Sequence, residues 1–110
     1  MARTALEILE HHLKALAALD IDDIMSDYTH ESVVLTPDAT IRGADVRDFF
    51  ANAIKTSSDL LASITISRQE TVGDIAYIVW SAPGFLALAT DTFLMRDGKI
   101  AVQTFAGHPA

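Results

Sequence analysis

Apolar residues recur at helical spacing near the start of the chain and at alternating spacing through its second half. Leu6, Leu9, Leu13 and Leu16 return every third or fourth position, which predicts a helix over residues 5–19. Thr4 followed by Glu7 is a capping-box pattern at its head. Asp20 then caps a short second helix, "IDDIMSDY", and "SVVLT" reads as a brief strand that a Pro37–Asp38 turn leads into "ATIR". Val46, Phe49, Phe50, Ala53 and Ile54 mark one face of a third helix. From Leu60 onward the pattern is strand-like, over 60–70, 74–82, 85–96 and 99–106, with Gly73–Asp74, Pro83–Gly84 and Asp97–Gly98 as turns between them. Helices first and an antiparallel meander afterwards predict an α+β fold, with three N-terminal helices packed on one face of a curved antiparallel sheet.

The expected sheet is apolar on both sides. Phe85, Ala87, Ala89, Phe93 and Met95 share one face of the 85–96 segment, and Leu86, Leu88 and Leu94 share the other. The preceding strand adds Ile75, Tyr77 and Val79 opposite Ile78 and Trp80. One layer of helices covers one face, and an antiparallel sheet with a solvated side is polar there. Two arrangements meet the excess: a second copy of the chain against the outer face, or a sheet curled tightly enough to bury both faces. The homodimer is the expectation.

The length, 110 residues, suits a single domain over 1–110. A formal net charge of −7 with no basic run argues against nucleic acid as a partner. Cysteine is absent, which excludes disulfides and thiolate chemistry. Glu7, Glu10 and two histidines interrupt the apolar residues of "MARTALEILEHHLKAL", so it reads neither as a signal peptide nor as a membrane span, and a cytoplasmic protein with no membrane partner is expected. The histidines at 11, 12, 30 and 108 lack metal-site spacing, no glycine-rich phosphate loop is present, and no metal or cofactor is expected.

Two side chains stand out against this apolar pattern. Asp91 shares a strand face with Phe93 and Met95, which sets a carboxyl on the oily side of the sheet; desolvation there would raise its pKa. At about 100° per residue, His12 falls inside the arc holding Leu9 and Leu16, whereas His11 falls towards Glu7 and Lys14 on the polar side. Trp80 shares strand parity with Ile78, as Ile64 does with Ile66. Gln103 depends on hairpin register: a two-residue Asp97–Gly98 turn pairs Asp91 with Thr104, and a three-residue Arg96–Asp97–Gly98 loop pairs Asp91 with Gln103 and turns Ile100 and Val102 outward.

Nearly the whole chain resembles the nuclear transport factor 2-like superfamily, which includes the ketosteroid isomerases and the SnoaL-like polyketide cyclases. "ALDIDDIMSDYTHESVVLTP" resembles the passage from the second helix to the first strand, "IRGADVRDFFANAI" the third helix, and "DTFLMRDGKIAVQTF" the closing hairpin. The resemblance implies a cone-shaped α+β barrel with a deep apolar pocket, usually dimerised through the convex side of the sheet. It implies that Asp91 is a pocket acid held protonated as a donor to a substrate oxygen, with His12 near the place of the isomerases' phenolic donor. Tyr28 and Phe50 match pocket-lining positions, and Gln103 is favoured in the inward register. The expected ligand-binding set is Tyr28, Phe50, Ile64, Trp80, Phe93, Met95, Gln103 and Phe105, around a small apolar molecule. One departure matters: where the isomerases carry their proton-shuttling aspartate, this chain has Thr36 before Pro37, and a threonine hydroxyl cannot shuttle a proton near neutral pH. The expected function is isomerase-like or cyclase-like chemistry on a carbonyl or enolate oxygen; the alternatives are a non-catalytic small-molecule-binding domain and a dimerising interaction domain.

Overall fold

A computed structural model describes residues 3–110. Three helices, α1 (Ala5–Ala17), α2 (Ile21–Met25) and α3 (Ala44–Ala62), accompany six strands: β1 (Tyr28–Leu35), β2 (Thr40–Arg42), β3 (Thr65–Val72), β4 (Ile75–Ala82), β5 (Leu86–Arg96) and β6 (Lys99–Pro109). The strands form one sheet in the order β2-β1-β6-β5-β4-β3, so β2 and β3 are free edges and the curved sheet does not close into a barrel. Thr4 and Glu7 make the reciprocal capping box that starts α1, and Asp20 caps α2 through the Asp23 amide. The core lies between α1, α3 and the concave face of the sheet, built on Ile8, Leu9, Val34, Val46, Phe50, Ile78, Phe93 and Ile100.

The sequence-based picture needs correction in four places. The sheet is mixed, because β1 runs parallel to β6 while every other pairing is antiparallel. Tyr28 opens β1 and does not end a helix: Ser32 Oγ donates to the Ile100 carbonyl and accepts from the Thr29 amide, holding an irregular stretch of strand whose polar sequence hides it. Residues 60–62 belong to α3, since Phe49, Ala53, Ser57 and Leu60 continue the helical period; the helix bends at Ser57, whose φ of −137° leaves the helical region.

The fourth correction sets the site. Asp97 and Gly98 both have positive φ, 53° and 75°, as a two-residue hairpin turn of the kind Asp-Gly favours requires. A bulge at Ala101 then shifts the ladder, so Met95 pairs with Ile100 but Leu94 pairs with Val102. Beyond it Phe93 faces Gln103 and Asp91 faces Phe105, which is neither of the two expected pairings. Gln103 points inward, and Ile100, expected outside, is fully buried.

Candidate functional site

Cross-strand register brings the polar interior together. The direct neighbours of Asp91 are Ile78 on β4 and Phe105 on β6. Trp80 and Gln103 each lie two residues from those neighbours, on opposite diagonals, within reach of long side chains. Trp80 Nε1 donates to Asp91 Oδ1 at 2.8 Å, and Gln103 Nε2 donates to Asp91 Oδ2 at 2.8 Å. Tyr28 OH donates to Gln103 Oε1, which fixes the amide so that its NH2 faces the carboxylate. Asp91 is 6% exposed. Burial pushes its carboxyl up to about 6, while the Trp80 and then the Gln103 hydrogen bond hold it lower than burial alone would.

Asp91 faces a cavity of about 230 Å³. Its helical wall is Leu16 of α1 with Phe49, Ala53, Ser57, Leu60 and Leu61 of α3, on both sides of the Ser57 bend. Trp80, Leu86, Gln103 and Phe105 supply the sheet side, and Ile64 the segment between α3 and β3. Of the side chains expected to contact a ligand, Ile64, Trp80, Gln103 and Phe105 line this cavity, together with the candidate catalytic residue Asp91. Larger hollows exist, including one of about 490 Å³ beside Arg3 and the Asp97–Gly98 turn, but they are bounded mainly by turn and strand-end residues and hold no buried titratable side chain.

The other expected site residues sit elsewhere. His12 does not line the cavity: it wedges edge-on among Phe93, Tyr28 and Phe50, at ring-centroid distances of 5.4, 5.8 and 6.0 Å. Among the described residues neither of its ring nitrogens has a hydrogen-bond partner. Burial pushes its pKa down to about 4, opposed by the Asp27 charge, so the ring is neutral through the physiological range. Tyr28 and Phe50 do not line the cavity either: Phe50 packs on Tyr28, whose hydroxyl meets Gln103, and Tyr28 is held neutral, its pKa raised by burial and by the charges of Asp91 and Asp27. Met95 borders the hollow beside Arg3 instead. The Thr36 hydroxyl accepts from the Asp38 and Ala39 amides, so it shapes the turn between β1 and β2.

Sequence reading missed Asp27. It is fully buried at the other end of the core, accepting from Arg3 Nη1 at 2.9 Å and from His11 Nδ1 at 2.7 Å, while His11 Nε2 reaches Asp23 Oδ1 at 2.9 Å. An imidazole with a carboxylate at each nitrogen donates from both, so it is the cation, and its pKa is raised chiefly by the Asp27 hydrogen bond. Nothing in local spacing signals this cluster, because its members are joined only by the packing of α1 on α2 and β1. Among the described residues, no group of three or more histidine, aspartate or glutamate side chains is placed to hold a metal ion, and no helix is long and apolar enough to cross a membrane.

No family model matches the chain, and no curated protein matches its sequence. Solved structures do match. A nuclear transport factor 2-like protein of unknown function from Burkholderia xenovorans LB400 superposes with a TM-score of 0.80 at 20% identity, covering 96% of this chain and 84% of its own. A SnoaL-like protein of unknown function from Burkholderia thailandensis E264 gives 0.80 at 20% identity, over 94% of each chain. A candidate polyketide cyclase from Sinorhizobium meliloti gives 0.74 at 21% identity, over 90% of this chain and 93% of its own.

Proposed function

On the premise that this chain has the nuclear transport factor 2-like fold, we propose that it binds a small apolar molecule in the cavity over Asp91 and exchanges a proton with it. The observation that carries this reading is the carboxyl itself: buried, aimed into an apolar cavity, and titrating near 6, where a carboxylate is both mostly ionised at neutral pH and basic enough to accept a proton. With Thr36 committed to its turn, Asp91 is the base this cavity offers. Its role differs from the donor expected from sequence, because above pH 6 the carboxylate accepts and only below it donates. The chemistry is isomerase-like or cyclase-like: removal of a proton next to a carbonyl and its return at another position. A binding site without turnover is the second reading, favoured by the Gln103 amide and Trp80 indole both being directed at Asp91 rather than at a ligand oxygen.

Deuterium exchange next to the carbonyl of a one-ring ketone, followed by NMR, tests the proton transfer. The protein should accelerate exchange with a rate that rises through pH 6 and is lost in Asp91→Asn; equal rates in the two proteins would leave only the binding reading. As a partner we propose a second copy of the chain on the convex face. Val33, Val102, Leu94, Ile75 and Val72 are register neighbours there, an apolar row across five strands, with Ile75 38% and Val72 69% exposed. Native mass spectrometry should give a dimer that Leu94→Lys converts to monomer.

A further inference from the structure

The cavity contains a negative charge and no positive one. Among its lining residues Asp91 alone is ionisable; the others are aliphatic or aromatic apart from Ser57 and Gln103. The titratable groups packed behind it are Tyr28 of β1 and His12 of α1, and both are neutral between pH 5 and 8. None of the salt bridges among the described residues involves Asp91. Its two hydrogen bonds come from neutral groups, which occupy one acceptor position on each oxygen and leave the charge uncompensated. A buried carboxylate with no cation beside it is costly to keep ionised, and a ligand that brings the cation relieves that cost. Trp80 and Phe105 adjoin the carboxylate, their rings tilted at 33° and 6.0 Å apart, and Phe49 lines the same cavity from α3. Aromatic faces beside a carboxylate are the surroundings that attract an ammonium group.

Resting on the second of the two readings, a ligand site without turnover, we propose that the molecule it takes is a small lipophilic cation, a protonated amine on one or two rings, with its N–H paired to Asp91 and its ring between Phe49 and Phe105. The size limit follows from the volume: about 230 Å³ falls below the range of cavities that hold drug-sized ligands.

Three probes of one shape decide it: benzylammonium, benzyl alcohol and benzoate, titrated by NMR into the whole protein at pH 5 and pH 7.5. Benzylammonium should bind at least about 10-fold more tightly than benzyl alcohol at pH 7.5, since each tenfold step is within reach of one charge pair, and benzoate should be weakest. That preference should shrink at pH 5, where Asp91 is largely protonated, and vanish in Asp91→Asn. Should the variant not fold, the pH series on the unaltered protein still separates a charge preference from its absence. Benzyl alcohol or benzoate binding as tightly as benzylammonium at pH 7.5 would overturn the charge assignment and leave the cavity as a ligand site. If none of the three binds at millimolar concentration, and Leu60→Trp, which fills the cavity, leaves their spectra unchanged, the cavity reading falls and this proposal with it.

Discussion

Among the described residues two aspartates are buried, and their surroundings could hardly differ more. Asp27, fully enclosed between α1 and the start of β1, is met by two cations, the Arg3 guanidinium and the doubly bonded His11 ring. Asp91, near the other end of the concave face, is met by an indole and an amide, neither of which carries charge. The first carboxylate is neutralised within the fold and ties the N-terminal residues to the body of the protein; Arg3 also donates to the Gly98 carbonyl in the last hairpin. The second is hydrogen-bonded but not neutralised, and it opens on a cavity. Burial alone therefore does not mark a site. The distinguishing feature is whether the protein itself supplies the opposite charge.

The largest effect expected from breaking this contrast is at Asp27. Replacing it with Asn leaves Arg3 and His11 facing a neutral group, and removing one partner from a buried ion pair costs about 3–4 kcal/mol. Urea unfolding at pH 6 measures it, and a loss below about 1 kcal/mol would show that Asp27 is no structural tie. At Asp91 the sign reverses with pH. Its folded pKa of about 6 lies above the ordinary 3.8, so the folded state holds the proton more tightly and stability falls as pH rises from 4 to 6. The whole shift is worth about 3 kcal/mol, so Asp91→Asn should gain on the natural protein by that order between pH 4 and pH 7. A difference that stays constant across four pH values would refute it.

His12 runs the other way. Its folded pKa of about 4 lies below 6.5, so the unfolded chain binds the proton first and stability is lost as pH falls from 6.5 to 4. His12→Leu removes that loss and the unpartnered nitrogens together, and at pH 4.5 it should be more stable than the natural protein by about 2 kcal/mol. The opposed slopes of Asp91 and His12 make the natural protein's own stability nearly flat between pH 4 and 6, with each single variant exposing the other's slope. The smallest effect is at His11. Its raised pKa gives stability that is full below 6.5 and is lost as pH rises through the folded value, so His11→Gln should lag the natural protein in acid and draw level with it as the pH is raised in thermal melts.

Periodicity made much of this legible. The return of Leu6, Leu9, Leu13 and Leu16 locates α1, and strand alternation sets Asp91 on the inner face with Phe93. Period alone does not say what an inward residue meets: His12 turns inward as its helical angle requires, yet it meets three aromatic rings, while Leu16, one turn further along α1, reaches the cavity. Irregularities were invisible for the same reason. The Ala101 bulge and the Ser57 bend interrupt a repeat, and a repeat read from apolar spacing skips over the residue that breaks it. The parallel pairing of β1 with β6 and the Arg3–Asp27–His11 cluster join positions far apart in the chain, which no local window contains.

That parallel pairing governs when the domain can form. Val33 meets Val102 across 69 residues (102 − 33), so β6, one of the two central strands, comes after the other five in the chain. Closing a loop of that length costs about 4 kcal/mol in chain entropy before any contact offsets it. Folding should therefore be slow for so short a chain and governed by non-local contacts. Until β6 arrives, β1 and β5 each lack the strand partner on one edge, and a chain stopped before Lys99 would expose both flanks of the gap that β6 fills, with the aggregation risk of unpaired strand edges.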